Sequence, residues 1–595
     1  MRKIYFITAL FLLSLLSCED ILNKQPLDII SDAVLWSDPI LIDDYLNQCY
    51  AEMNFYFEMP YEHDVNFLMA NRSHDAITLS DEAMCGWADE IEAPQTKDIT
   101  ISGGVFEWWG YPTLRRLNIF IEKMDALELD ESYKNNRIAE ARFLRAFSFF
   151  NLVKRYGGIP LITKAQKLDD PKEELYPKRD KEEVVYQFII SEIDAIYNNL
   201  PESFGDGRAT KYAALALKSR AALYAASIAE WGEINLDGVV GIPSEMAEYF
   251  WEIAYNASKE IMSSGKFTLY NKSEDKVQNY RNIFLDKDNP EVIFSERFDG
   301  ISGKGHIWDM LEVPYSYHVW GKGQNACVYL EMVESYDNID GTSGTIDREL
   351  VDNEHLWTVE ELFGKKDPRF KASIYTHGTP WTHTEGPFIL DYHDAIETTD
   401  GVLTSGSYKG VLSRSQSYGR PTPFGILKYL DESLAVEHER GYSKTDYIVF
   451  RYAEILLNFA EAAFELGRTQ EAKDAINLIR SRAGMFSYES IDRKKIRKER
   501  KIELAFEGNR YFDLRRWRTA TEKLTHSFHG IRYILDGTSI VEGGYDVMTQ
   551  RFKLEIIENV TGLPHPFFDE QHYYLPISLS RTTNNPNLVE NPGYK

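Results

Sequence analysis

The alanines between residues 209 and 228 limit most tightly how this chain can fold. Ala213, Ala214, Ala216, Ala221, Ala222, Ala225 and Ala226 lie along a segment with helical character. A helix faced with methyl groups lets a second helix approach closely, and residues 244–263 follow as its partner. Other stretches read the same way. Residues 108–127 carry Leu114, Leu117, Ile121 and Met124 at three- and four-residue steps. Residues 138–156 form a dense helix stopped by Gly157-Gly158-Ile159-Pro160. Residues 182–200 place Val185, Phe188, Ile189, Ile193 and Ile196 on one stripe ahead of Pro201. Residues 448–466, then Gly467, then 469–483 make a last helical pair.

That last pair, with Asn458-Phe459-Ala460-Glu461-Ala462, Leu466-Gly467-Arg468 and Glu471-Ala472, resembles a tetratricopeptide unit, a hairpin that buries its small-residue face only against its neighbours. Unrelated helical hairpins are the alternative. Between 265 and 445 the character changes. Gly, Ser, Thr, Asp and aromatics are dense, and Pro290, Pro314, Pro368, Pro380, Pro387, Pro421 and Pro423 punctuate the stretch. A segment this long is not left structureless in a compact protein. The expected fold is mostly α: a tetratricopeptide-like helical-hairpin scaffold, an α-α superhelix, with a loop-rich α+β lobe packed against it. Residues 71–105, acidic and aperiodic, read as a long loop.

At the amino end, Arg2 and Lys3 precede an apolar run from Ile4 to Leu16, too short to span a bilayer. Ser17 directly precedes Cys18, with Leu15 three positions before the cysteine. This resembles a bacterial lipobox, cut before Cys18 with acylation of its thiol. An ordinary signal peptide is the other reading, but such signals favour small residues on both sides of the cut. No later segment is apolar over a membrane-spanning length: 447–466 is broken by Arg451, Glu454 and Glu461. The expected anchor is therefore lipid alone.

The net charge is −27, and removing Arg2 and Lys3 with the signal leaves −29. A chain this acidic repels polyanions, so nucleic acid is not an expected partner. Arg493, Lys494, Lys495, Arg497, Lys498, Arg500 and Lys501 crowd into nine residues; in an exported acidic protein they are expected to pair with carboxylates of neighbouring helices. With Cys18 acylated, Cys49, Cys85 and Cys327 allow at most one disulfide, and no C-x-x-C occurs. Asp337-Asn338-x-Asp340-Gly341 resembles part of a calcium loop but lacks the first acidic position of an EF-hand, so a turn is expected. No cofactor is implied.

Several stretches together resemble the SusD/RagB family of outer-membrane nutrient-binding lipoproteins. Ile496 to Trp517 (IRKERKIELAFEGNRYFDLRRW) matches the family's R-x-E-R…E-L…E-G-x-R-x-x-D-L-x-R-W pattern. Tyr573-Tyr574-Leu575-Pro576-Ile577, Asn585-Pro586-Asn587-Leu588 and Asn591-Pro592-Gly593-Tyr594 match its L-P-I…N-P-x-L…N-P-G-Y ending. Arg451 to Gly467, Arg142 to Pro160, Asn289 to Phe294 and the lipobox also fit. Read as residues alone, Glu503, Glu507, Arg510 and Asp513 sit at helical steps and pair along or across helices, Trp517 faces a core, and Gly508 marks a close approach or a helix end. These residues are scaffold. The resemblance divides the chain into a signal peptide (1–17), a lipidated tether (18–30), an N-terminal helical region (31–264), a loop-rich lobe (265–445) and a C-terminal region (446–595).

The resemblance implies capture of a glycan at the cell surface and its delivery to a SusC-like TonB-dependent transporter, without catalysis. Glu19 and Asp20 after Cys18 fit export to the outer leaflet. Sugars lie on aromatic rings while amides, carboxylates and Arg bond their hydroxyls, and the chain holds 11 Trp, 36 Tyr and 32 Phe. The family's sites draw on the early loop and the loop-rich lobe. Here that points to Arg72, His74, Asp75 and Trp87 from the first, and to His306, Trp308, Tyr315, Tyr317 and Trp320 from the second. The family pattern does not reach these positions. The rival readings are a surface glycoside hydrolase, which needs two suitably spaced carboxylates, and a peptide-binding helical-repeat scaffold.

Overall fold

The small-residue faces are buried as the spacing requires. The alanines from Ala213 to Ala226 are fully enclosed within a helix, Lys211–Trp231, that Thr210 caps by accepting from the Ala213 amide. The structure, a computed structural model, describes residues 32–53, 55, 76–86, 99–102, 107–203, 207–287, 289–300, 305–314, 323–382, 387–404, 422–433, 443–539, 546–561 and 568–594.

The main helices are α1 (Pro39–Ala51), α2 (Tyr111–Asp125), α3 (Glu131–Tyr156), α4 (Glu182–Ile196), α5 (Lys211–Trp231), α6 (Ala247–Ser263), α7 (Lys276–Leu285), α8 (Trp308–Glu312), α9 (Tyr452–Glu465), α10 (Thr469–Ala483), α11 (Arg493–Glu503) and α12 (Arg510–Arg516). From α2 to α6 each packs on the next, α6 packs on α9, and α9 packs on α10. This is helix-pair packing of the solenoid kind. Gly157, at φ 75, ends α3 as its place in the sequence required. Where α5, α6 and α9 meet, Ser219 and Ser258 bond at 2.8 Å and Asn458 donates to Ser219 at 3.1 Å, so the close contact buries no unpaired hydroxyl there.

The strands are β1 (Ala83–Cys85), β2 (Val292–Glu296), β3 (Ala326–Val328), β4 (Ile374–Tyr375), β5 (Pro380–Trp381), β6 (Phe388–Ile389), β7 (Ala395–Thr398), β8 (Gly401–Thr404), β9 (Gly425–Ile426), β10 (Tyr447–Arg451), β11 (Gly530–Asp536) and β12 (Phe552–Ile557). They form small sheets ordered β1-β3-β9-β4, β10-β2, β12-β11-β7-β8 and β5-β6. In the first three, strands from residues 265–445 pair with strands before or after that stretch. The loop-rich segment is thereby stitched into the rest of the chain, and one continuous core runs from Trp36 to Leu588.

One element differs from expectation. Residues 448–451, read as the start of a helix, belong instead to strand β10, antiparallel to β2. Tyr447-Ile448-Val449-Phe450 is aromatic and β-branched, and buried pairing against Val292–Glu296 decides in favour of the strand. The helix begins only at Tyr452.

The family-pattern residues occupy the interior. After α11 the chain turns through Phe506 (φ 61) and Gly508 (φ 76) into α12, and the turn collects buried charges. Arg451 bonds Glu291 and Glu503 at 2.7 Å each and Glu507 at 2.7 and 2.8 Å. Arg482 reaches Glu291 at 3.1 Å and also pairs with Glu503. Arg369 bonds Asp367, Glu499 and Glu503. Lys428 bonds Glu507 at 2.9 Å and the Ala505 carbonyl at 2.7 Å. Arg480 completes the set at Glu499, 3.0 Å. Five cations thus face five carboxylates. Burial alone would raise the Glu503 carboxyl, but Arg482, Arg451 and Arg369 hold it well below the usual carboxylate range.

The basic run along α11 is mostly spoken for. Arg493 pairs with Glu465, Lys498 with Asp337, Arg500 with Asp513 and Lys501 with Asp81. Arg497 lies over the rings of Trp231 and Trp517, 4.6 Å from each. Cys49, Cys85 and Cys327 are buried. Residues 337–342 form a turn closed by Asp340, which accepts from the Thr342 amide at 2.9 Å.

Removing Glu503 leaves three buried guanidiniums short of an acceptor. Glu503→Ala should therefore lower stability by about 3–5 kcal/mol, read as a fall in the denaturation midpoint. A depressed carboxylate contributes stability above about pH 4 and loses it as pH falls through its folded value. The wild-type midpoint should thus drop steeply in acid, and that of Glu503→Ala should drop less.

Candidate functional site

The two segments expected to carry ligand-binding side chains are rooted on one ladder. Strand β1, which lies within the first segment between Asp75 and Trp87, pairs antiparallel with β3: Ala83 faces Val328, Met84 faces Cys327 and Cys85 faces Ala326. The Gly86 amide donates to the Asn325 carbonyl at 2.6 Å, one residue before Trp87 and five after Trp320. Helix α8 folds back on the same strand. Gln324 donates from its amide to Val313, and Asn325 to Leu311, at 2.8 and 2.9 Å. Gln324 holds a left-handed backbone, φ 47, while its side chain donates to the Thr422 carbonyl at 2.8 Å. Gly425 of β9 sits where a Cβ would fall 2.0 Å from the Tyr375 ring. Only glycine permits that approach, and it lets the Tyr375 hydroxyl reach the Glu312 carbonyl at 2.8 Å.

The buried charges lock these roots to the scaffold. Arg510 forks onto Asp81 at 2.7 and 2.9 Å, and Lys501 joins at 3.0 Å. Burial opposes ionisation of Asp81, but Arg510 and Lys501 hold it far below the usual range. Its neighbour Glu82 accepts from the Phe506 amide at 3.0 Å and, with the adjacent cations engaged by Asp81, is pushed up to about 8 by burial. In α8, Asp309 accepts from the Asp431 amide at 2.9 Å and the Ser443 hydroxyl bonds its own amide at 3.2 Å; burial raises the Asp309 carboxyl to about 7. Lys428 ties the chain after β9 to the α11–α12 turn.

His306 and Trp308 are not ligand-facing, contrary to expectation. Both are fully buried. His306 Nε2 donates to the Thr445 carbonyl at 2.9 Å and Nδ1 accepts from the Trp308 amide at 3.2 Å. The Trp308 indole N–H donates to the Lys428 carbonyl at 3.1 Å. With no ring face open, neither can stack on a sugar; they brace the base from which the second segment departs. Arg72, His74, Asp75, Trp87, Tyr315, Tyr317 and Trp320, like Cys18, lie outside the described residues. Sequence reasoning missed the positioning residues Asp81, Glu82, Asp309 and Lys428. Each is a single charged residue whose partner lies far along the chain, so no local pattern reveals it. Among the described residues no group of three or more His, Cys, Asp or Glu side chains is set to hold a metal, and no helix is long and apolar enough to cross a membrane.

Comparison with known proteins places this helix-pair scaffold in a family. A family model described as "SusD family" matches residues 290–594, and one described as "Starch-binding associating with outer membrane" matches residues 27–223. The chain belongs to the SusD family, whose members are outer-membrane, surface-associated glycan-binding proteins and not catalysts. It is 23% identical over 485 residues to a SusD-like protein of Bacteroides ovatus, covering 76% of this chain and 75% of that one. It is 23% identical over 545 residues to the starch-binding protein SusD of Bacteroides thetaiotaomicron, covering 87% and 84%. A crystal structure of a SusD-like protein from Bacteroides fragilis superposes with a TM-score of 0.72 at 26% identity, over 96% of this chain and 100% of that one. A laminarin-binding SusD-like protein shares the fold at TM-score 0.58 and 20% identity, over 94% and 100%.

Glu82 supplies a pH test of the roots. Its raised value means the folded state holds a proton that the unfolded state has released between about pH 4 and 8, so its contribution to stability falls as pH rises through that window. Glu82→Gln should remove that decline. Denaturation midpoints at pH 5 and pH 8 should differ less in the variant than in the wild type.

Proposed function

We propose that this protein captures an oligosaccharide or polysaccharide at the cell surface and delivers it, uncleaved, to a SusC-like TonB-dependent transporter in the outer membrane. A lipid on Cys18 tethers it there, with Glu19 and Asp20 directing the mature chain to the outer leaflet. The scaffold is of the tetratricopeptide-like kind, and the ligand lies against Trp87 and Trp320, with Tyr315, Tyr317, Arg72, His74 and Asp75 around them.

The observation that carries this reading is the shared root of the two aromatic-bearing segments. The hydrogen bond from Gly86 to Asn325 fixes the base of one against the base of the other. Rings on loops with a rigid common base form a preorganised platform, which lowers the entropy lost when a flexible saccharide binds. The starch and laminarin in the names of two relatives make maltoheptaose and laminarihexaose the first probes.

Trp87→Ala and Trp320→Ala should each weaken saccharide binding about tenfold in titration calorimetry without shifting the melting temperature; unchanged affinity in both variants would remove this site. Cys18→Ala should move the protein from the membrane fraction to the soluble one, and retention in the membrane would refute lipid anchoring.

A further inference from the structure

A second cleft lies among parts of the chain that the first site leaves unused. Its volume is about 680 Å³, and it is lined by Trp231 at the end of α5, by Arg518, by Tyr573 and Tyr574, and by Asn591 and Gly593 of the carboxyl-terminal family pattern. That size lies within the roughly 300–1,000 Å³ of small-ligand sites. It shares no residue with the loop roots.

Three features mark the cleft as built for a ligand. First, Arg518 is held in place yet underused. Its guanidinium lies 4.6 and 4.9 Å from the Tyr573 and Tyr574 ring centroids and donates to the Tyr574 hydroxyl at 2.6 Å. That hydroxyl in turn donates to Glu182 at 2.8 Å, and Glu182 also accepts from the Gly241 amide at 2.7 Å. Arg518 has no carboxylate partner among the described residues, so most of its five donors remain available. Second, its backbone sits at φ 53, a left-handed conformation that a non-glycine residue adopts only where its surroundings impose it. Third, Asn591 is 2% exposed and donates to the Tyr156 and Leu575 carbonyls, while its Oδ1 has no partner among the described residues.

The ligand class follows from the lining. Trp231 is half-buried, with Arg497 over its ring at 4.6 Å and Trp251 meeting it edge-on at 6.0 Å. Aromatic surface beside a guanidinium with open donors and amide groups suits a saccharide, which offers C–H faces and hydroxyls together. Glu233, Asp569 and Glu570 also line the cleft, so three carboxylates outnumber the single guanidinium and disfavour an anion. We infer that this cleft is a second glycan-binding site, specific for an uncharged oligosaccharide, with Trp231 as the stacking ring and Arg518 as the principal hydroxyl donor. The inference rests on the reading of the protein as a glycan binder but not on Trp87 or Trp320.

Hydrogen–deuterium exchange of the mature chain, with saturating maltoheptaose and separately with laminarihexaose, reads the two sites independently. With at least one sugar, exchange should slow at 569–574 and 591–593. Protection at 76–86 and 323–328 reports the first site. Protection confined to the first set overturns the second cleft and leaves the proposed function standing. Protection confined to the cleft supports this inference and sinks the Trp87–Trp320 site. Protection at neither overturns both. Trp231→Ala also strips Arg497 of its ring, so the companion variant is Asn235→Trp, an exposed position on the cleft wall. It should weaken cleft binding about tenfold while leaving protection at the first set unchanged; cleft protection undiminished in Asn235→Trp would overturn the assignment.

Discussion

The contact between Arg451 and Glu503 is the constraint on which the rest of the structure depends. Neither side chain has access to water, and an isolated buried charge is costly enough that each must find partners inside the protein. Arg451 sits where β10 gives way to α9, and Glu503 ends α11. Their other partners are Glu291 just before β2, Arg482 of α10, Arg369 ahead of β4, and Glu507 in the α11–α12 turn, which in turn holds Lys428 after β9. Satisfying this one cluster therefore fixes helices, sheet and loop-rich segment together. A purely apolar core of equal volume would tolerate small shifts among these elements; a network with directional bonds at 2.6–3.1 Å does not.

From that cluster the order passes to the surface in two short steps. The turn between α11 and α12 presents the Phe506 amide to Glu82 and leads into Arg510, which grips Asp81. Those two carboxylates directly precede β1, and β1 pairs with β3. The same turn holds Lys428 after β9. Aspartate and glutamate side by side thus take opposite roles: Asp81 stays ionised against two cations, and Glu82 keeps its proton as a buried hydrogen-bonding group. The family pattern in residues 496–517 says nothing about what is bound because most of its side chains are buried, but it sets where β1 and the chain after β9 are held.

How much of this was legible in the sequence follows from the range of each interaction. Helices such as α3 and α5 announce themselves through near-neighbour periodicity and through local stop signals like Gly157, so they could be read directly. Strand β10 could not, because Tyr447-Ile448-Val449-Phe450 suits a buried helix or a buried strand equally until its partner at 292–296 is known. The stitching of residues 265–445 into three sheets was hidden for the same reason. The pairing of Arg493, Lys498, Arg500 and Lys501 with carboxylates followed from charge balance, although which carboxylates answered them did not. Among the expected ligand-facing residues, His306 and Trp308 lie in the interior. Trp308 opens α8, is buried, and donates its indole N–H to the Lys428 carbonyl, a partner 120 residues away that no local pattern reveals.

The same logic separates the two proposed binding surfaces. The proposed platform rests on the rigid pairing of β1 with β3, so its side chains can be exchanged without disturbing the core. The cleft around Arg518 is built otherwise. Its guanidinium is fixed by the Tyr574–Glu182 relay, and its walls belong to α5 and to the chain's carboxyl-terminal turns, elements that also pack the interior. Changing what that cleft accepts would require moving Trp231 or Tyr574, and with them Trp251, Arg497 and Glu182. Loop sites of this kind can diversify, whereas a site walled by the core holds to one ligand chemistry.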